Sequence, residues 1–150
     1  MYRLIGSTHS LTGLTGATAE FLRALDSVRK SIADNAALSG TELRAMAQIA
    51  ESHEVTPKQL ATALEVTTGA VTAITTGLVA RGLVSRSEHP SDRRSLVLTL
   101  TDSGHDLMEI NYRRFQDAIA AAAHSLDHDT EATVVAALTE LTEALRSKNQ

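Results

Sequence analysis

Residues 66–100 read VTTGAVTAITTGLVARGLVSRSEHPSDRRSLVLTL, and this stretch decides the fold. Val71, Ile74, Leu78 and Val79 recur at helical spacing, which turns one face inward. The opposite face carries Thr68, Gly69, Thr72, Ala73, Thr76 and Gly77, all small and uncharged. Glycines and threonines make a poor helix by intrinsic propensity, so the surrounding fold must hold this one. A slim face also lets a helix lie close against another surface. Gly82 stands where a helix ends in a left-handed residue. Beyond it, residues 83–88 and 95–100 alternate like strands. His89-Pro90-Ser91-Asp92-Arg93-Arg94 is the predicted turn between them. A helix, a tight turn and a basic-tipped hairpin together read as a winged helix.

Upstream, Thr56-Pro57-Lys58-Gln59 is a capping box with proline at the first helical position. It opens a short helix that should bury Leu60, Ala61 and Leu64, and with the threonine-rich helix it forms a helix-turn-helix. Ser39-Gly40-Thr41-Glu42 is a second capping box, opening a helix whose expected inward stripe is Leu43, Met46, Ala47 and Ala50. An earlier helix is predicted from about Ala17 to Asp34, with Phe21, Leu25, Val28 and Ile32 on one face. Residues 1–16, rich in Gly, Ser and Thr, read as an irregular arm. Downstream, Thr101 is the expected cap of a long helix carrying Met108, Tyr112, Phe115, Ile119, Ala122 and Leu126. Asp127 to Thr130 should break it, and Val134, Leu138, Leu141 and Leu145 then repeat the heptad spacing. A chain of 150 residues cannot easily cover all these stripes alone, so a two-fold dimer is expected.

Composition narrows the functions. There are no cysteines, which excludes disulfides, thiolate metal sites and thiol redox sensing. The formal net charge of -4 argues against a generic polyanion binder. Residues 101–150 hold -5 of it, while residues 41–100 are balanced and residues 1–40 carry +1. Nucleic-acid contact would therefore fall to clustered arginines, chiefly those between Arg81 and Arg94. With no membrane-spanning run and no signal peptide, the chain is expected in the cytoplasm, nucleoid-associated when bound to DNA. No nucleophile elbow, paired-carboxylate pattern or glycine-rich phosphate loop supports an enzyme.

The order of elements resembles the MarR family of winged helix-turn-helix transcriptional regulators over roughly residues 17–147. The resemblance is carried by Gly82-Leu83-Val84-Ser85-Arg86, by Asp92-Arg93-Arg94, and by Leu98-Thr99-Leu100-Thr101-Asp102-Ser103-Gly104. It implies one domain over 1–150, mainly α with a small β-hairpin wing. About 1–35 and 102–150 would be dimerisation helices, and about 39–100 the winged helix-turn-helix. It also implies a homodimer on pseudo-palindromic double-stranded DNA, a repressor relieved by a small-molecule effector, and no membrane partner. A departure is that no Arg, Lys, Asn or Gln lies between Thr67 and Ala80, so bidentate base reading is not available there. The alternative is therefore a winged-helix sensor or protein-interaction module with weak DNA binding.

Candidate DNA contacts are Lys58, Thr67, Thr68, Gly69, Thr72, Arg86, Arg93 and Arg94, where Arg94 matches the family's wing motif, while Arg86, like Arg81, would serve equally well as a support of the wing. Asp92 is expected to fix the turn and orient Arg94 through a charge-assisted hydrogen bond. Phe21, Met46, His53, Tyr112 and Phe115 are candidates for an effector pocket, which the resemblance places between the dimer helices and the DNA-binding lobe. His124 and His128 are four apart, but the predicted helix break between them favours solvated loop residues over a metal site. No metal and no cofactor is expected.

Overall fold

Side-chain caps set where most of the helices begin. The computed structural model describes residues 11–89 and 92–148. Its elements are α1 (Gly13–Asn35), α2 (Gly40–Ser52), α3 (Pro57–Leu64), α4 (Thr68–Ala80), β1 (Val84–His89), β2 (Asp92–Leu100), α5 (Asp102–Ala123) and α6 (His128–Lys148). The fold is mainly α with a small β-hairpin wing, as the sequence predicts. Both capping boxes form. Glu42 N–H donates to Ser39 Oγ at 3.1 Å while Ser39 N–H donates to Glu42 Oε2 at 2.7 Å, and Thr56 and Gln59 repeat the exchange. Among the described residues no single helix is long and apolar enough to cross a membrane.

Residues up to Phe115 form one unit and those from Gln116 another. The core of the first unit joins α2, α3, α4 and the hairpin through Met46, Ile49, Leu60, Val71, Leu78, Val84 and Leu98. Helix α2 is central, so its buried positions are Ala45, Met46 and Ile49, with Leu43, Ala47 and Ala50 only half covered. The expected single stripe was too narrow, because neighbours flank this helix on more than one side. Helix α4 also differs from expectation: Thr75 is buried and Val79 is exposed. Thr75 fits the core because its hydroxyl donates to the Val71 carbonyl at 2.8 Å.

The end of α4 and the start of α5 are locked together. Gly82 has φ +69, and the N–H groups of Gly82 and Leu83 return to the carbonyls of Val79 and Leu78. Thr101 Oγ1 donates to the Gly82 carbonyl at 2.6 Å and accepts from Gly104 N–H at 3.1 Å. A Cβ at Gly104 would run into the Leu83 carbonyl oxygen. The Leu-Thr-x-x-Gly pattern therefore encodes a close contact of backbone on backbone.

The hairpin is antiparallel, pairing Val84 with Leu100 and Arg86 with Leu98, and its register shifts between Glu88 and His89. Asp92, Arg93 and Arg94, expected in the turn, belong to strand β2 instead, because pairing extends further than hydrophobic alternation indicates. Val55 adds a short bridge to Leu98, with both backbone hydrogen bonds made. Helix α1 begins at Gly13, so residues 13–16 of the expected arm are helical, and residues 1–10 lie outside the described part. The predicted break at Asp127–Thr130 falls earlier. Helix α5 ends at Ala123, and Asp127 caps α6 by accepting from Thr130 N–H at 2.8 Å. Helix α6 buries none of its residues, and Val134, Leu138, Leu141 and Leu145 all stand exposed on it.

The Ser39 backbone N–H, above all, holds the Glu42 carboxyl below its usual range, with the Ser39 hydroxyl and Arg81 assisting. A carboxyl depressed on folding contributes stability above its unfolded value, and that contribution is lost as pH falls through the folded one. Glu42→Gln should therefore lose less stability than the parent chain between about pH 5 and about pH 3 in urea melts. Equal losses would show that the box carries no charge dependence.

Candidate nucleic-acid interface and adjoining cavity

Helices α3 and α4 meet at a bend of 108°. Glu65 ends α3 in the left-handed conformation, φ 57, and this gives the turn its tightness. The outward face of α4 exposes Thr68, Gly69, Thr72, Ala73 and Thr76. Thr67 is the N-cap of α4, its Oγ1 accepting from Ala70 N–H at 3.2 Å. Thr72 and Thr76 donate their hydroxyl protons to the carbonyls of Thr68 and Thr72, at 3.0 and 2.7 Å. Thr72 Oγ1 keeps its acceptor capacity on this exposed face, the chemistry of acceptance from a base amino group, and the threonine methyls suit a thymine methyl contact. At Gly69 an added Cβ would find only Thr67 Oγ1, at 3.9 Å, so the fold itself does not demand a glycine there.

Cations flank this face. Lys58 is exposed in the first turn of α3. Arg86 leans from β1 onto α4, with Nη2 at 2.6 Å from Thr75 Oγ1, 3.0 Å from Thr76 Oγ1 and 3.4 Å from the Thr72 carbonyl oxygen. Arg81 turns away, donating to the Ala36 carbonyl at 3.2 Å beside Glu42 at 3.8 Å. Arg93 and Arg94 sit on β2, but the contacts expected of their side chains, and of Asp92, lie outside the described residues. The role of Thr75 as a hydroxyl under the arginine was missed in the sequence. Only a buried threonine one turn from Thr72 could have signalled it.

Within the same unit, a cavity of about 750 Å³ opens between α1, α2 and α5. Tyr112 and Phe115 line it, with Arg29, Lys30 and Arg44 around them. Among the described residues neither Lys30 nor Arg44 forms an ion pair. Burial, and then Glu51, pushes the Tyr112 hydroxyl above its usual range. The other three expected pocket residues are elsewhere. Met46 is fully buried in the core, Phe21 is exposed on α1, and His53 is exposed past the end of α2 at φ 58. Helical spacing identifies apolar positions but does not separate those facing a void from those facing packed side chains.

Asn111, 3 % exposed, also lines the cavity, and neither of its amide atoms has a hydrogen-bond partner among the described residues. Asn111→Leu removes that desolvation cost and should stabilise the fold by about 1–3 kcal/mol. Thermal denaturation should register a rise of about 2–4 °C per kcal/mol. A fall would mean that the amide is satisfied in solution.

A bent helix pair with an exposed second helix and an adjoining hairpin defines a winged helix-turn-helix protein. Residues 38–96 match the model of the MarR family. MarR of E. coli in its apo form superimposes with a TM-score of 0.72 at 22% identity, over 88% of this chain and 98% of that one. RV1404 from Mycobacterium tuberculosis gives 0.79 at 24%, over 90% and 96%. NadR in complex with 4-hydroxyphenylacetate gives 0.68 at 23%, over 87% and 93%. At these identities the likeness is one of fold. No curated protein matched the chain by sequence.

Proposed function

We propose that this protein is a dimeric, sequence-specific DNA-binding regulator of transcription, a repressor relieved by a small molecule. The observation that carries the reading is the outward face of α4, slim, exposed and presented at 108° to α3, with Arg86 beside it and Arg93 and Arg94 on the adjoining strand. Thr67, Thr68, Gly69 and Thr72 would enter the major groove, with Lys58 on a phosphate. The whole chain would act as one domain in the cytoplasm, on the nucleoid, without catalysing a reaction. Helices α1, α5 and α6 would form the dimer through their exposed apolar positions. The cavity would take an aromatic anion, because Tyr112 and Phe115 offer ring faces and Arg44 and Lys30 offer charge. The aromatic acid bound to NadR has that chemistry.

A salt-dependent mobility-shift assay on the DNA upstream of the protein's own gene tests the reading. Binding that ignores sequence would favour the second reading, a winged-helix interaction module, which the uncharged face of α4 supports. Titration calorimetry with 4-hydroxyphenylacetate tests the cavity, and an unchanged heat in Arg44→Ala would remove it as the site.

Arg94 is the expected wing contact. With no bidentate donor on α4, specificity should depend on groove shape, and a narrow A·T-rich minor groove attracts an inserted arginine. Arg94→Ala should cost about 1–3 kcal/mol per wing and flatten the A·T preference at the flanks of the half-sites. Lys58→Ala should weaken binding to all sequences alike and reduce the salt slope by about one. Filter binding at about 150 mM salt separates the two, and wild-type affinity with unchanged flank preference in Arg94→Ala would end the wing reading.

A further inference from the structure

We propose that Arg86 is a positioning residue, fastening the wing to the recognition helix so that the distance between their two DNA contacts is fixed. The inference rests on the DNA-binding reading above. As an exposed cation beside a neutral helix face, Arg86 looks at first like a base-reading or phosphate-binding residue. Its geometry says otherwise. The Thr75 and Thr76 hydroxyls donate their protons to the carbonyls of Val71 and Thr72, at 2.8 and 2.7 Å. Each hydroxyl therefore keeps a lone pair aimed sideways, and both accept from the same Arg86 nitrogen, Nη2, at 2.6 and 3.0 Å. The Thr72 carbonyl approaches that nitrogen too, at 3.4 Å.

A guanidinium pairs in two-pronged fashion through its Nη1–Nη2 edge or its Nε–Nη2 edge. Both edges include the nitrogen committed to α4. Arg86 therefore has no free fork for a guanine or a phosphate, and its bonds to α4 are what it contributes.

Position along the hairpin makes that contribution matter. Val84, Leu98 and Leu100 bury the base of the wing in the core, whereas Ser87, Glu88 and Leu96, further out, are exposed. Among the described residues Arg86 makes the only side-chain hydrogen bonds from the hairpin to α4. Residue Thr75 anchors it from the buried side, 1 % exposed, so the acceptor itself cannot swing. Without this bond the outer hairpin would pivot about its apolar base, and the wing would meet DNA over a range of positions relative to the helix.

The test uses the full-length protein and an operator taken from its own upstream DNA. Variants of that operator have one base pair inserted or removed between the half-site core and the A·T-rich flank. The parent protein should lose about 10-fold in affinity or more on each altered spacing. Arg86→Lys keeps the charge but not the planar fork, and Thr75→Val keeps the shape but not the acceptor. Both should narrow the spacing penalty to about 2-fold or less, with the salt slope unchanged and circular dichroism confirming the fold. A parent-like spacing penalty in Arg86→Lys and Thr75→Val overturns the proposal. So does a salt slope lower by about one in Arg86→Gln with the spacing penalty intact, since that is the signature of a phosphate contact. If the parent protein does not distinguish its operator from random DNA, the regulator reading falls, and this inference with it.

Discussion

A chain carrying Leu138→Asp and Leu141→Asp should sediment as a monomer or fail to fold. In the isolated chain these leucines are 45% and 37% exposed, on a helix that buries none of its residues. Val134, Leu138, Leu141 and Leu145 repeat at four, three and four residues, the spacing of a seam that another helix covers. Covering a leucine fully is worth about 1.5–3 kcal/mol. Two leucines on each of two protomers, with 45% and 37% of their surface left to cover, then contribute about 2.5 kcal/mol at the low end, nearly two decades in dissociation constant. The aspartates add to this loss, because a carboxylate in the seam would be stripped of water with no partner. Leu138→Ala with Leu141→Ala should weaken the dimer without introducing charge. Sedimentation equilibrium across a concentration series reads both. A folded dimer of unchanged mass in the aspartate variant would mean that α6 lies outside the interface.

Gly104→Ala should destabilise the protein, although in an open helix the same change is favourable by about 1 kcal/mol. The added Cβ meets the Leu83 carbonyl oxygen, and the Leu100 side chain is 3.4 Å away on another side. The obstacle is backbone, so no rotamer change relieves it. To make room, the start of α5 must move off the end of α4. That movement breaks the Thr101 bridge, which joins the Gly82 carbonyl to the Gly104 N–H. Two hydrogen bonds and an overpacked contact together set a loss of about 3–4 kcal/mol. The control is Gly69→Ala, where a Cβ meets only Thr67 Oγ1 at 3.9 Å. That variant should be up to about 1 kcal/mol more stable, and it should bind DNA less well if the slim face approaches the groove. Urea denaturation gives the two stabilities. Stabilisation by both alanines would show that α4 and α5 do not approach as closely as the Leu83–Gly104 contact requires.

Local chemistry made much of this protein legible in its sequence. Capping boxes act within four residues, and Ser39–Glu42 and Thr56–Gln59 both close as expected. Gly82 marks the left-handed stop of α4, and alternation from Leu83 onward marks a hairpin. Such signals depend on backbone geometry over one or two turns, so neighbouring residue types carry them. The match of residues 38–96 to the MarR family agrees with that reading.

What neighbours decide was not legible. Helix α2 shows Ala45 and Ile49 buried because other elements surround it, and no single-face pattern announces a central helix. Val79 follows the periodicity but emerges on the exposed side, and Thr75 replaces it inside by satisfying its own hydroxyl. The residues expected at an effector pocket divide for the same reason. Tyr112 and Phe115 face a void, Met46 faces packed core, and His53 faces solvent. Asn111 had no sequence signal as an unpaired amide, because pairing depends on every element packed around it. Sequence alone determined the kinds of element, their order and the capped starts of α2 and α3, since hydrogen bonds between near neighbours set those. Tertiary structure alone decided that Arg86 meets Thr75 while Arg81 turns to Ala36, and which apolar side chains meet a cavity. Those choices depend on atoms more than ten residues apart, such as Arg86 and Thr75, brought within 2.6 Å by packing.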